Sequence, residues 1–163
     1  MAQLRADRAG ALVLPDDFPR GEREVRHGLD DEPEPRVEPG EIAAGAKLII
    51  NVVTNSLTAL TGRRMEMLGD PGLRAIALDL AAETASVARA AGVPLTDARA
   101  REIVDWISGM NPDMTTSMLQ DRQAGRPLEH DGLLGPVVTL AERHGVPALV
   151  TTTILRLLRG LPR

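Results

Sequence analysis

The stretch from Lys47 to Asn55 constrains the fold of this chain more than any other. It is an apolar helical pattern interrupted at every fourth position by a polar residue: Lys47, Asn51 and Asn55. A helix with about 3.6 residues per turn brings these positions to one side, so a polar stripe crosses an otherwise apolar helix. Lys47 is also the only lysine among 19 basic residues. An ammonium is a compact donor that can give up its proton, so this lysine is a candidate for chemistry.

The same stripe also has a purely structural explanation. The amides can satisfy neighbouring backbone groups, and the lysine can extend its ammonium to water. Polar residues occur on many amphipathic helices, so this explanation is the more frequent one for the pattern alone. The presence of only one lysine in the chain favours the chemical explanation, but the structural explanation stays the more frequent of the two.

The composition favours one helical domain. A chain of 163 residues is long enough for one domain with a core. Its apolar residues are almost all aliphatic, with one Phe, one Trp and no Tyr. A sheet would need more β-branched and aromatic residues, so the composition predicts an all-α fold. The periodicity predicts a compact bundle of five or six helices.

Several classes of function are disfavoured by the sequence. The net charge of -4 and the absence of a basic run argue against nucleic-acid binding. The apolar runs fall far short of the ~20 residues that span a membrane, and a cytoplasmic protein is expected. Without cysteine, and without metal-binding spacing of its three histidines, no metal site is predicted. No two glycines are separated by a single residue, which excludes a GxGxxG dinucleotide loop.

The chain divides into an arm and a helical domain. Residues 1–40 crowd proline and acidic residues together and are predicted to be poorly ordered. Residues 11–14, Ala-Leu-Val-Leu, are the one candidate strand there. Residues 41–163 carry the helical periodicity, with N-terminal caps at Asp70 and Thr96. The predicted helices cover residues 41–61, 70–92, 97–109, 113–123, 129–144 and 148–158, with a kink at Gly135-Pro136.

A second group of polar residues surrounds the break Gly125-Arg-Pro127. Ser117 lies on the helix before the break, and Glu129 lies in the first turn after it, so the chain can fold back and bring them together. Glu129 has a structural alternative, because a first-turn carboxylate is favoured by unpaired backbone amides. Asp121 and Arg122 are expected to form a solvated face. Glu83 is expected to face solvent or to pair with an arginine.

Together these segments resemble the C-terminal domain of the ketopantoate reductase (2-dehydropantoate 2-reductase) family over about residues 46 to 160. The order and spacing of several motifs match at once, which makes the resemblance specific. The motifs are Lys47-xxx-Asn51-xxx-Asn55-Ser-Leu-Thr-Ala-Leu60, Glu83 before Val87-Ala-Arg-Ala-Ala-Gly92, Ser117-Met-Leu-Gln-Asp121, Gly125-Arg-Pro-Leu-Glu129, Gly135-Pro-Val-Val138 and His144-Gly-Val-Pro147.

The resemblance implies a fold and a set of roles. The domain would be an all-helical bundle like the C-terminal domain of 6-phosphogluconate dehydrogenase, forming the substrate side of a cleft opposite an NADPH-binding Rossmann domain. Lys47 would be the general acid that protonates the ketone oxygen of a 2-oxo acid. Asn51 and Asn55 would bind the lysine or the substrate, and Ser117 the substrate carboxylate. Glu129 would accept a hydrogen bond from the substrate hydroxyl and help to fix Lys47.

The departures from the family limit what is expected of this chain. The nucleotide-binding domain is missing, and Gly45 stands where the family usually has tryptophan. A truncated or split reading frame is therefore expected, inactive alone and dependent on a separate Rossmann-domain chain. A homo-oligomer is also expected, with neither nucleic acid nor membrane as a partner. The alternative is a helical dimerisation or interaction module that keeps the fold without the chemistry.

Overall fold

The computed structural model describes residues 5–6, 12–13 and 39–162. The all-helical fold predicted for the main part of the chain is confirmed. The described residues form seven α-helices, where five or six were predicted. A 3-10 helix, Met65–Gly69, lies between the first two α-helices. The α-helices are α1 (Pro39–Thr61), α2 (Pro71–Ala90), α3 (Asp97–Ser108), α4 (Ser117–Gln123), α5 (His130–Leu133), α6 (Gly135–His144) and α7 (Leu149–Arg159).

Two short strands are described near the N-terminus. They are β1 (Arg5–Ala6) and β2 (Leu12–Val13), which pair antiparallel with Arg5 opposite Val13. The predicted strand at residues 11–14 thus contains β2. The rest of the predicted arm lies outside the described residues, except that α1 already begins at Pro39.

α1 is the central helix of the bundle and packs against α2, α3, α4 and α7. Its apolar face, which includes Ile49, Val52, Val53 and Leu57, is fully buried in the core. These positions follow helical spacing and lie on the side of α1 away from the Lys47 stripe. The same helix therefore fills the core with one face and carries the polar stripe on another. The core is predominantly aliphatic, as the composition predicted.

Two predicted helix starts are confirmed by their caps. Asp70 Oδ1 accepts hydrogen bonds from the backbone N–H groups of Gly72 and Leu73, at 2.9 and 3.0 Å. The Thr96 hydroxyl accepts one from Arg99 N at 3.1 Å. Each cap satisfies donors that the first turn of a helix leaves unpaired, which fixes where α2 and α3 begin.

α4 begins at Ser117, four residues later than the prediction of Asp113. The carbonyls of Pro112 and Met114 accept hydrogen bonds from Glu66 N and Met65 N, each at 3.0 Å. These long-range bonds hold the preceding segment against the 3-10 helix, and Thr116 then caps α4. The local sequence could not reveal that these hydrogen bonds keep residues 113–116 out of the helix, because the bonding partners are about fifty residues away.

The kink predicted at Gly135-Pro136 is a full break, because two helices, α5 and α6, stand where one helix over residues 129–144 was predicted. Pro136 has no N–H to donate to the carbonyl four residues before it, so a continuous helix cannot form there. Among the described residues, no helix is both long and apolar enough to cross a membrane.

Gly45, where the resemblance implied a tryptophan, is packed closely. Gly45 is buried, and a Cβ placed on it would lie 3.3 Å from Leu95 Cδ2 and 3.6 Å from Val93 Cγ1. A tryptophan would therefore need the segment between α2 and α3 to move. The departure is explained by the way that segment packs on α1.

Candidate active site

The predicted polar stripe lies on α1. Lys47, Asn51 and Asn55 are each half-buried. Successive members are about 6 Å apart along the helix axis, as four-residue spacing requires. The stripe therefore forms one continuous polar edge at the boundary between core and solvent.

Asn55 connects this edge to α4. Its Oδ1 accepts hydrogen bonds from Ser117 Oγ at 3.1 Å and from Met118 N at 3.2 Å. A backbone N–H can only donate, so the Asn55 atom that faces Met118 N must be the amide oxygen. The other atom of the amide is then the NH2 group. The orientation of the amide is therefore set by α4, and its NH2 group is the donor that Asn55 can offer to a ligand.

Four of the five predicted site residues meet around one cavity of about 490 Å³ between α1, α4 and α5. Its polar lining consists of Asn51, Asn55, Ser117, Asp121 and Glu129. Lys47 is the exception. It lies one turn before Asn51 on α1, and is not among the described residues that line this cavity.

Glu129 occupies the position before the first residue of α5, and the part of its structural explanation that relies on unpaired backbone amides is not supported. Its side chain makes no capping hydrogen bond. Only its backbone carbonyl takes part in the turn, by accepting from Leu133 N at 3.2 Å. The carboxylate is exposed and lines the cavity. It is therefore available to a ligand rather than used by the helix.

The expectation that Asp121 and Arg122 form a solvated face is wrong. Both are half-buried. Arg122 donates to the carbonyls of Ala59 and Leu60, the latter at 3.0 Å, and so satisfies the C-terminal end of α1. Asp121 lines the cavity and accepts from Arg126 Nε at 2.8 Å. It is a second carboxylate at the cavity, partly neutralised by that arginine.

The expectation for Glu83 is also wrong. Its carboxylate accepts hydrogen bonds from Val150 N at 2.9 Å, Thr151 N at 2.8 Å and the Thr151 hydroxyl at 2.7 Å. The N-terminal residue before α7 is Ala148, which has no capping side chain. Glu83 on α2 therefore caps α7 from a neighbouring helix, and a negative charge is favourable at that end of a helix.

A second cavity, of about 250 Å³, adjoins the first on the other side of Asn55 and Ser117. Asn51 also lines both cavities. The apolar lining of the second comes from Ile50, Met65, Met110 and Met114. We call it the methionine pocket. Sequence analysis missed it, because its methionines come from the 3-10 helix and from the segment between α3 and α4.

The residues that the structure describes do not form a dinucleotide site. A Rossmann site needs a strand, a glycine-rich turn and a helix whose N-terminus receives the pyrophosphate. The sequence has no pair of glycines separated by one residue. The part of the chain described from residue 39 onward is helical throughout its regular elements. Neither do the described residues contain a group of three or more potential metal ligands.

Comparison with known proteins agrees with this fold and arrangement. Residues 43–162 match the family described as Ketopantoate reductase PanE/ApbA C terminal. The helical bundle therefore belongs to the class of C-terminal domains that this family model describes. The chain is a member of the ketopantoate reductase C-terminal domain family.

Individual relatives also match about seven tenths of this chain. A 2-dehydropantoate 2-reductase of Mycobacterium tuberculosis is 37% identical over 116 residues, covering 71% of this chain and 39% of the relative. One from Mesorhizobium japonicum is 33% identical over 116 residues, covering 71% and 35%. This chain thus spans about two fifths of the length of the curated relatives that it matches.

Solved structures give the same result. A dimeric ketopantoate reductase from Staphylococcus aureus aligns with a TM-score of 0.69 and 28% identity, covering 73% of this chain and 42% of that one. A PanE/ApbA family ketopantoate reductase from Ralstonia eutropha aligns with a TM-score of 0.65 and 32% identity, covering 72% and 40%.

Proposed function

We propose that this chain is the substrate-binding and catalytic half of a ketopantoate reductase-like oxidoreductase. The reaction would be the NADPH-dependent reduction of a 2-oxo acid such as 2-dehydropantoate to pantoate. The observation that carries the proposal is the single cavity lined by Asn51, Asn55, Ser117 and Glu129, with Lys47 one helical turn away. Residues 41–163 would be this substrate domain, and residues 1–40 would lie outside it.

Lys47 would be the proton donor to the ketone oxygen. A lysine ammonium has three donors on a flexible stem, so it can reach past Asn51 toward a ligand in the cavity. Proton transfer from a positioned side chain typically contributes about 10² to 10⁴ in rate. The amide NH2 groups of Asn51 and Asn55 would hold the substrate oxygens beside it.

Ser117 would bind the substrate carboxylate, which requires a change of partner. Its hydroxyl proton now goes to Asn55 Oδ1. A carboxylate accepts and does not donate, so the hydroxyl must turn from Asn55 to the ligand. Asn55 Oδ1 would keep the hydrogen bond from Met118 N, so the exchange leaves no buried acceptor unpaired.

Glu129 would accept a hydrogen bond from a substrate hydroxyl and help to orient Lys47. Its exposed carboxylate on the same cavity, without a capping role, supports this assignment. Asp121 adds a second negative charge, offset by Arg126. A negatively charged substrate therefore needs the lysine charge nearby, which is a further reason for placing Lys47 in the site.

NADPH would supply the hydride from a separate nucleotide-binding domain, since the described residues of this chain do not form such a site. We therefore expect no turnover from the chain alone. The test combines it with the separately expressed nucleotide-binding domain of a relative and follows nicotinamide absorbance with 2-dehydropantoate. Lys47→Ala should remove at least ~10²-fold of the restored rate. Arg143→Ala, on α6, is a charge-matched control that should leave the rate unchanged.

The result that would contradict this function is a restored rate that Lys47→Ala does not alter. Failure of any nucleotide-binding domain to restore turnover would instead favour the non-catalytic interaction module. Binding of 2-dehydropantoate to the isolated chain separates these cases. Titration of the wild-type chain should show saturable binding that Ser117→Ala and Asn51→Ala weaken.

Self-association is proposed as well, through a specific surface. Leu149 and Leu157 on α7 are 76% and 51% exposed, and are the large apolar side chains most accessible in the described part of the chain. Eight residues apart on a helix, they lie on one face. The Staphylococcus aureus relative is dimeric. Sedimentation at micromolar concentration should show a dimer that the double substitution Leu149→Ser and Leu157→Ser dissociates, and a monomeric wild type would contradict it.

A further inference from the structure

The methionine pocket presents apolar surface beside the polar cavity. Three methionines and Ile50 supply its apolar walls. Methionine is unbranched and polarizable, so it adapts to ligands of different shape better than a branched side chain does. Met65 is buried, whereas Met110 and Met114 are half-buried at the edge of the space. The pocket can therefore adjust at its rim while its floor stays fixed.

Two of the threonine hydroxyl groups that line the pocket, those of Thr54 and Thr116, are already used within the protein. Thr54 Oγ1 donates to the carbonyl of Ile50 at 2.8 Å. Thr116 Oγ1 accepts from Leu119 N at 3.2 Å and shares a 2.7 Å hydrogen bond with the Thr58 hydroxyl. A ligand group entering here would thus meet methyl and thioether groups, together with the amides of Asn51 and Asn55 and the exposed hydroxyls of Thr115 and Ser117. The pocket favours an apolar group attached to a polar one.

The two cavities share one polar wall. Asn51, Asn55 and Ser117 line both of them. A 2-oxo acid whose carboxylate and ketone bind this wall can direct substituents on its third carbon to either side, so the hydroxymethyl group of 2-dehydropantoate can face Glu129 while alkyl groups face the methionines. The side of Asp121 and Glu129 carries two carboxylates, whereas the methionine side carries none among the described lining residues. An aliphatic substituent is better accommodated on the methionine side, because it loses no hydration of charged groups there.

We propose that the methionine pocket is the side-chain subsite of this domain and selects 2-oxo acids with an aliphatic side chain, such as propyl or isobutyl. The inference rests on the proposed function and deepens it by naming the class of substrate. Burial of one methylene contributes about 0.8 kcal/mol, so each added methylene should tighten binding about fourfold. The gain should continue until the pocket is filled.

The test uses the full chain with ¹³C-labelled methionine methyl groups. The probes are pyruvate, 2-oxobutanoate, 2-oxopentanoate and 4-methyl-2-oxopentanoate, added to millimolar concentration so that weak binding is visible. The methyl signals of Met65, Met110 and Met114 report on the pocket. Met118 lines the polar cavity, and Met67 is fully buried away from both linings and serves as the internal control. Single Met→Leu variants assign the signals.

The expected result is a shift of the three pocket methyls that grows along the series, with affinity rising about fourfold per methylene and Met67 unmoved. Met110→Gln and Met114→Gln should each reduce the gain in affinity per methylene to less than twofold, while Met110→Leu and Met114→Leu should preserve the fourfold gain. Circular dichroism of each variant confirms that the helices are intact.

Two outcomes would overturn the inference in different ways. If Met118 shifts with every acid while affinity does not change along the series, the polar cavity binds 2-oxo acids, but the methionine pocket is not the side-chain subsite. The proposed function would then stand. If no methyl shifts with any acid, the cavity does not bind this class, and both the inference and the proposed function are wrong.

Discussion

The side-chain oxygen of Asn55 accepts a hydrogen bond from the Ser117 hydroxyl at 3.1 Å, across 62 residues of chain. The same oxygen accepts from Met118 N at 3.2 Å. Asn55 therefore does for α4 what a capping residue does for its own helix, and its NH2 group is left as a donor at the cavity that the residue lines. One amide couples the position of α4 to the chemistry proposed for the cavity.

Replacing Asn55 should separate these two roles. Asn55→Leu leaves the Met118 N–H without its partner, and we expect a loss of about 1–3 kcal/mol in the free energy of unfolding. Asn55→Asp keeps the acceptor and removes the NH2 donors, so the fold should be retained while 2-oxo acid binding falls. Urea unfolding measures the first effect and ligand titration the second. Equal stability of Asn55→Leu and wild type would contradict the coupling.

Ser117→Ala should affect binding more than stability. The serine is exposed, and Asn55 keeps the hydrogen bond from Met118 N when the hydroxyl is removed. We therefore expect a change of less than about 0.5 kcal/mol in unfolding free energy, as for most surface substitutions. Binding of a 2-oxo acid should weaken about tenfold, because the carboxylate loses one hydrogen bond. Thr139→Ala, at an exposed hydroxyl on α6 that lines neither cavity, is the control.

The cap on α7 should contribute strongly to stability. Glu83→Ala removes the acceptor of two backbone N–H groups and one hydroxyl, and we expect a loss of about 1–3 kcal/mol. Thr151→Val tests the hydroxyl alone and should cost less. Thermal and urea unfolding measure both. If Glu83→Ala unfolds at the same urea concentration as wild type, the carboxylate does not stabilise α7.

The sequence was sufficient for the parts of the structure that depend on local pattern. The spacing of Lys47, Asn51 and Asn55 predicted one polar edge, and the caps at Asp70 and Thr96 predicted where two helices begin. The break near Pro136 followed from its missing N–H. The fold-back predicted that Ser117 and Glu129 come together, and only the family resemblance placed them with the α1 amides; periodicity indicated neither.

The features that the sequence did not reveal depend on contacts between distant segments. Glu83 and Thr151 are 68 residues apart, so nothing local marks the acid as a cap. Arg122 reaches the end of α1 across a similar interval. The methionine pocket needs Met65 from one segment and Met114 from another, held by the hydrogen bond from Met65 N to Met114 O at 3.0 Å. Tertiary structure alone brings these groups together.

The ion pair between α5 and α7 should make stability depend on pH. Asp131 Oδ1 accepts from Arg159 Nε at 2.8 Å and from Nη2 at 2.5 Å. These hydrogen bonds, together with the charges of Arg159 and His130, hold the pKa of Asp131 below its ordinary value of about 3.8. The unfolded chain therefore binds a proton at a higher pH than the folded one. The contribution is fully present above about pH 3.8 and is lost as the pH falls through the folded-state pKa.

Asp131→Asn should consequently lower the unfolding midpoint near neutral pH, and the difference from wild type should shrink as the pH falls below about 3.8. Urea unfolding between pH 7 and the acid limit of the fold measures it. The effect should be small and should weaken in ~1 M salt, because both side chains are more than half exposed. Arg159→Gln should show the same pH dependence, and the double variant should lose little more than either single one. A constant difference at every pH would show that Asp131 acts through packing rather than through its charge.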